Sequence, residues 1–237
     1  MTGDSGSKHR RRDVSRIEGF SDAVFAFAIT LLVVSLEVPK TFHELIATVR
    51  GFPAFAVCFA LLFQVWWRHY RFFRSYDLED AYVIVWTGVL LFVVLFYVYP
   101  LKFVWSLPFA ELQGRRITDE VINVRQVPTL FAIYGAGVIC VFSILALLYL
   151  HAYRLRDRLG LTAIEALDAR LQVYSNLSIA GWGVVSITLA FTMAAVNQRF
   201  LGLAGMIYSG IGITEWRLGE YRNRAVKRLN TTDTSPV

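Results

Sequence analysis

Six apolar blocks, each about as long as a bilayer is thick, leave this chain very few folds. They run over 20–38, 52–72, 82–104, 129–153, 173–196 and 200–221, separated by short charged segments. A helix needs about 20 mostly apolar residues to cross a hydrocarbon core of about 30 Å. Lipid offers no hydrogen bonds, so a spanning segment of this kind satisfies its backbone internally as a helix. The reading is an all-α integral membrane protein with six transmembrane helices per chain. One six-helix transmembrane domain covers 1–230, and a polar tail over 231–237 reads as disordered. The composition agrees, with 56% hydrophobic and 18% charged residues.

The basic residues orient the helices. Lys8, Arg10, Arg11, Arg12, Arg16, then Arg68, Arg71, Arg74, then Arg154, Arg156, Arg158, Arg170, then Arg217, Arg222, Arg224, Lys227 and Arg228 fall on one side. The smaller group of Lys40, Arg50, Lys102, Arg115, Arg116, Arg125 and Arg199 falls on the other. Positive residues stay inside, so both termini are expected in the cytoplasm, with the chain multi-pass in the cell membrane. The net charge of +6 is then a topology and lipid-facing signal, and no nucleic-acid partner is expected for the "KHRRR" arm. Asp22 lies inside the first apolar run, which reads as a retained helix rather than a signal peptide. Cys58 and Cys140 each sit in an apolar block and read as buried, inert thiols.

Between the spans, 105–128 suggests a surface helix broken at Gly114 and Pro128. Thr162 stands three residues before Glu165, a capping-box spacing, and Leu161, Ile164, Leu167 and Leu171 recur at helical spacing. That segment reads as a short interfacial helix leading into the fifth span.

Within "RIEGFSDAVFAFAITLLVVSLEVP", helical geometry puts Phe20, Ala23, Phe27, Thr30, Leu31, Val34 and Val38 on one broad face. A threonine there can satisfy itself on a carbonyl one turn back or face a polar path, and the residues alone leave both open. Asp22 constrains more. A carboxylate inside an apolar span costs roughly 2.5–3.5 kcal/mol on insertion scales, so it faces a partner or a wet cavity. Its candidate partners are Arg16, Arg68 and His69. Ser21 and Asp22 also sit in the first turns, where capping a helix end is the plainer role.

The second block ends in "QVWWRHYRFF". Trp67, Arg68 and Arg71 read as an interfacial belt with arginines reaching the headgroups. His69 stands apart, able to bond both a backbone group and a carboxylate, and so to join Asp22 across two helices. Glycines and serines of the last two blocks, among them Gly181, Gly183, Gly202, Gly205, Gly210, Gly212, Ser178, Ser186 and Ser209, signal close helix packing. Glu215 and Arg217 read as an interfacial pair. No nucleophile turn, phosphate loop or ligand-spaced metal cluster stands out, so no enzyme activity, catalytic residue, metal site or cofactor is expected. A "TVGYG"-like filter loop is absent too, so any ion path must be lined by side chains.

Arg16, Phe20, Ser21 and Asp22 at the mouth of the first block, with Thr30 and Pro39 beyond, resemble the signature of the transmembrane protein 175 family of potassium channels. Trp66 and His69 are similar to that family's tryptophan and histidine pair. The resemblance covers Arg16 to Phe72 and is topological beyond it; Trp86 and Tyr99-Pro100 match the family's third-span positions only in part. It implies the bacterial single-repeat form, a homotetramer whose four first helices line a central pore for potassium ions within membrane lipids. It also implies an apolar constriction at Phe27, with Thr30, Leu31 and Val34 next along the pore. Arg16, Phe20, Ser21, Asp22, Trp66 and His69 would form an intracellular network holding the pore helix. Phe27 departs from the branched aliphatic residues usual at that constriction. The expectation is a potassium-permeable channel with a hydrophobic gate and modest preference for potassium over sodium, with Glu37 drawing cations to the outer mouth. Its rivals are a proton path through Asp22 and His69, and a membrane scaffold that conducts nothing.

Overall fold

The computed structural model describes residues 14–34, 39–112, 124–196 and 207–233. Eight α-helices account for nearly all of them: α1 Arg16–Val34, α2 Phe42–Arg50, α3 Phe52–Tyr76, α4 Ala81–Leu112, α5 Val127–Arg154, α6 Arg156–Leu159, α7 Ala163–Val196 and α8 Gly210–Asp233. Three of them, α4, α5 and α7, are long and apolar enough to cross a membrane. The pair α2 and α3, bent by 43° at Gly51, makes a fourth such span if taken as one.

Local chemistry sets several of the helix ends. Ser15 Oγ accepts the Glu18 N–H at 3.2 Å and starts α1. Asp80 starts α4 by accepting the Val83 N–H at 2.9 Å. The Thr162–Glu165 box closes as its spacing predicts: the Thr162 N–H donates to Glu165 Oε2 at 2.8 Å and the Glu165 N–H to Thr162 Oγ1 at 3.2 Å. Just before it, α6 ends at Gly160, whose φ of 61° is the left-handed conformation glycine adopts without strain. Thr41 starts α2, a helix the apolar pattern does not reveal, by accepting the Glu44 N–H at 3.2 Å, while Glu44 Oε2 accepts the N–H of Lys40 at 2.7 Å.

Several boundaries differ from the sequence reading. The expected interfacial helix is instead the first turns of α7, continuous with the fifth span, because 163–196 holds no proline and its first glycine comes only at Gly181. The third span carries on through Pro100 and Pro108 to Leu112, so the surface helix expected from Trp105 is in part the end of α4. Gly114 lies outside the described residues, and Pro128 sits in the first turn of α5, where a missing N–H costs nothing. Helix α8 runs through Asp233, so 231–233 extend a helix where a tail was expected; once a helix is nucleated each added residue gains a bond. The sixth apolar block begins outside the described residues.

Two apolar clusters hold the bundle. The larger gathers Phe25, Ala28 and Leu32 of α1 with Cys58, Leu62 and Val65 of α3, Leu90, Val94 and Val98 of α4, and α5 and α7 partners including Leu145 and Ile179. The second joins Phe72, Phe73 and Tyr76 of α3 to Leu148, Tyr149 and Ala152 of α5 and to Ala169 and Val173 of α7. Glycine lets helices approach at a few positions. A Cβ on Gly183 would meet Ile139 at 3.0 Å and one on Gly210 would meet Trp182 at 2.7 Å, whereas Gly181 and Gly212 have open space. Gly202 and Gly205 lie outside the described residues. The tightest approach is one the apolar pattern does not mark, Gly137 of α5, on which the Tyr97 ring of α4 lies directly. Cys58 is buried as expected, but Cys140 is exposed on the outside of the bundle.

Candidate functional site: the first helix and its cradle

Helix α1 has two unlike faces. Ser21, Phe25, Ala28 and Leu32, spaced by four, three and four residues, are all at most 2% exposed and dock against α3 and α4. On the other side Phe20, Ala23, Phe27, Thr30 and Val33 are uncovered by the rest of the chain, with Phe20 59% and Phe27 56% exposed. The rotation between the two sets is a property of the 3.6-residue turn, so burying one set turns the other outward. Thr30 Oγ1 donates to the Ala26 carbonyl at 2.9 Å, the self-satisfied arrangement, which leaves its oxygen lone pairs on the open face. Leu31 is half-buried against the bundle's own core and stands at the edge of that face. Val34 closes α1 and its side chain lies outside those described; so does Glu37.

Two contacts to α3, one helical turn apart, set the rotation of α1. The Trp66 indole N–H donates to Asp22 Oδ1 at 2.7 Å. The Phe25 ring meets the His69 ring at 5.8 Å between centroids, with Phe73 on the imidazole's other flank at 4.9 Å. Trp66 and His69 share a face of α3 because they are three residues apart. Asp22 thus bonds Trp66, rather than Arg68 or His69 as considered from the sequence. An indole N–H bonded to a carboxylate oxygen is a charge-assisted bond, and it gives Asp22 a partner on the neighbouring helix. His69 is 1% exposed and its Nε2 has no partner among the described residues. Ser21 does not cap: its hydroxyl donates to the Ile17 carbonyl at 2.7 Å, and Ser15 is the cap. Arg16, the first residue of α1, is exposed.

Behind this cradle lies a network that composition alone misassigns. Arg68 does not reach toward headgroups. It is 9% exposed, and its guanidinium donates to Ser175 Oγ at 2.8 Å, Asn176 Oδ1 at 3.3 Å and Glu215 Oε1 at 3.1 Å. Ser175 donates in turn to the same Glu215 oxygen. Phe142 covers the guanidinium face at 5.7 Å, and the Tyr149 hydroxyl donates to the Arg68 carbonyl at 2.8 Å. Glu215 is therefore the partner of Arg68 and not of Arg217, because a guanidinium drawn into an apolar bundle needs a carboxylate and neutral acceptors to offset its desolvation. The cluster ties α3 to α7 and α8. Ser175 and Asn176, adjacent polar residues in the fifth apolar block, were the signal that could have revealed it.

A further cross-link sits at the start of α4. Asp80 Oδ2 meets His151 Nε2 of α5 at 2.7 Å, and the Tyr82 ring stacks on that imidazole at 4.3 Å. Burial alone would raise the Asp80 carboxyl, but the bonds from His151 and the Val83 N–H outweigh it and hold the group below its ordinary value. Among the described residues no group of three or more His, Cys, Asp or Glu side chains is placed to hold a metal ion.

The family model for the endosomal/lysosomal potassium channel TMEM175 matches residues 16–97, which contain α1, its cradle on α3 and much of α4. A potassium channel of Marivirga tractuosa is 36% identical over 206 residues, 84% of this chain and 83% of that protein. A potassium channel of Chamaesiphon minutus is 37% identical over 98 residues, covering 37% of this chain and 47% of that one. Among solved structures, a variant of the potassium channel MtTMEM175 bound to a nanobody–MBP fusion superposes with a TM-score of 0.77 at 33% identity, over 94% of this chain and 99% of that one. A TMEM175 homologue from Chamaesiphon minutus, described as a lysosomal potassium-selective channel, shares the fold with a TM-score of 0.58 at 23% identity, over 86% of this chain and 96% of that one. All are channels and none is an enzyme. With a relative 36% identical across most of both lengths and the signature residues gathered on α1 and α3, the chain belongs to the TMEM175 family of potassium channels.

Proposed function

We propose that the chain forms a potassium-permeable cation channel whose pore is lined by the outward face of α1. The observation that carries this reading is that face itself. Phe20, Ala23, Phe27 and Thr30 are left uncovered while the opposite face of the same helix is fully buried, so the fold presents an apolar, nearly charge-free stripe for other copies to complete. One chain supplies one such helix, and four around an axis make a closed pathway. The aromatic run along α3, Phe52, Phe55, Phe59, Phe63, Trp66 and Tyr70, with successive centroids 5.2–6.3 Å apart, offers a second surface for a neighbouring copy. In this assembly α1 and the sixth apolar block, which ends in the first turns of α8, span the membrane with α3, α4, α5 and α7, both termini are cytoplasmic, and lipid covers the rest.

The gate is the ring of Phe27 side chains. A narrow apolar collar excludes hydrated ions by dewetting, so conduction requires the collar to widen. Beyond Arg16 at the foot of the helix, no charged side chain stands on the outward face among the described residues, and the one hydroxyl, Thr30, offers only lone pairs. The preference for potassium over sodium is therefore modest. The Asp22 to Trp66 and Phe25 to His69 contacts hold the helix at the rotation that aims Phe27 inward. The same geometry disfavours a proton path through Asp22 and His69, because the carboxylate bonds Trp66 and the imidazole packs between Phe25 and Phe73.

The test is cation flux into liposomes holding the purified protein, with potassium or sodium as the only permeant cation and protons followed separately. Potassium entry that Phe27→Ala accelerates supports the apolar gate. Proton flux alone, or no flux from either protein, overturns the channel reading. A detergent-solution mass of one or two chains removes the tetramer.

A further inference from the structure

At the end of the bundle where α5, α6, α7 and α8 converge lies a cavity of about 660 Å³ that the channel reading does not use. Three of the four walls bring positive charge to it, Arg156 of α6, Arg170 of α7, and Arg224 and Arg228 of α8, while Tyr153 of α5 and Tyr221 of α8 add tyrosine edges. No aspartate or glutamate is among its lining residues. The floor is cut back to alanines, Ala163, Ala166 and Ala225, at positions where larger side chains would fill the space. Its volume lies in the range of small-molecule sites.

Tyrosine rings orient two of these arginines. Arg156 lies over the Tyr153 ring at 4.9 Å, and Arg170 lies over Tyr174 at 5.6 Å while donating to its hydroxyl at 3.2 and 3.3 Å. Tyrosine orients a guanidinium without neutralising it. Arg156 and Arg224 also meet Asp157 and Glu220 on their own helices, at 3.7 and 3.0 Å. By contrast Arg222, a neighbour facing away from the cavity, is fully matched, its fork meeting Asp168 at 2.6 and 2.7 Å and pinning α8 to α7. Arg224 and Arg228, four residues apart, are like charges one above the other, an arrangement that disfavours an isolated helix. Three elements thus converge on one basic, half-open cavity with tyrosine edges and the wall fixed by a separate ion pair.

We propose that this cavity binds a ligand carrying two or more phosphate groups, presented by an anionic lipid headgroup or by a soluble polyphosphate. Guanidinium forks match phosphate oxygens in pairs, and several forks around one cavity favour multiply charged ligands over single phosphates. The site is independent of the pore reading.

The test titrates two probes against the purified full-length protein in detergent: inorganic tripolyphosphate, and a short-chain phosphatidylinositol bisphosphate. Binding is read by calorimetry, with the melting temperature of the unliganded protein as the folding control. Three variants are compared with wild type: Arg170→Gln with Arg228→Gln, the charge-keeping Arg170→Lys with Arg228→Lys, and Arg217→Gln, an exposed arginine outside the cavity. The glutamine pair is expected to weaken binding at least tenfold, roughly the loss of one charge-assisted contact. The lysine pair keeps an intermediate affinity, and Arg217→Gln stays within about twofold of wild type. A lipid probe bound at least tenfold tighter assigns the site to a headgroup, and equal binding assigns it to a soluble ligand. The proposal fails if neither probe binds, or if the cavity and control variants weaken binding alike, which would mark diffuse surface charge. If the glutamine pair does not fold, the lysine pair and the control carry the same comparison.

Discussion

Replacing Glu215 by leucine should destabilise the protein more than removing the arginine it pairs with. Arg68 has a side chain only 11% exposed, whereas that of Glu215 is 35% exposed. Glu215→Leu strands a buried guanidinium on two neutral acceptors, Ser175 and Asn176. Breaking a fully buried pair costs about 3–5 kcal/mol. Because Glu215 is a third exposed and two acceptors remain, the expected cost falls to about 2–3 kcal/mol. Arg68→Met removes the charge that is expensive to bury and leaves a carboxylate that can still be solvated, for about 1–2 kcal/mol. In the double variant no charge is stranded, so its cost stays near that of Arg68→Met alone, a coupling of about 2 kcal/mol. At roughly 2–4 °C per kcal/mol for a chain of this length, Glu215→Leu lowers the apparent melting temperature by about 4–12 °C. Melting in detergent, at one fixed scan rate because such unfolding is often irreversible, reads all four proteins. A Glu215→Leu protein that melts with wild type, or a double variant equal to the sum of the singles, would refute the reasoning.

Other expectations rest on separate contacts. Trp66→Phe keeps the aromatic packing but deletes the bond to Asp22, so α1 loses part of its rotational lock; about 1–2 kcal/mol of stability should go, and flux through the pore should change while assembly persists. Gly137→Ala drives a methyl into the Tyr97 ring and should cost about 1–3 kcal/mol, whereas Gly181→Ala, with open space around its Cβ, should be neutral or slightly stabilising; paired melting curves check both. For the Asp80 cross-link the sign follows from its lowered carboxyl: its stabilisation is present above the unfolded-state value and is lost as pH falls through the folded one. The melting difference between wild type and Asp80→Asn should accordingly be largest near neutral pH and vanish in acid, and a difference that grows in acid would contradict it.

Periodicity reads one kind of information well and another poorly. The grouping of Phe20, Ala23, Phe27 and Thr30 on one face of α1, the Trp66 and His69 spacing and the Thr162–Glu165 box were legible, because each depends on neighbours a few helical turns apart. Helix ends were less so: apolar runs report what lipid tolerates, and α7 and α4 simply continue past them. Arg68 was misread for the same reason. A basic residue near the end of an apolar block looks the same in sequence whether it reaches out to headgroups or turns inward, since the difference lies in Ser175, Asn176 and Glu215, more than a hundred residues away.

The sequence by itself determined that this chain is a helical membrane protein and that its first helix carries both a polar foot and a hydroxyl, because hydropathy and the 3.6-residue turn are local properties. It also carried enough of the family signature to identify the relatives. Only the tertiary structure decided which face of α1 is buried, which residue holds Asp22, where the Arg68 charge is matched and that four arginines share one cavity. Those outcomes depend on which helices lie side by side, and desolvation then selects, among many possible partners, the ones close enough to satisfy a buried charge.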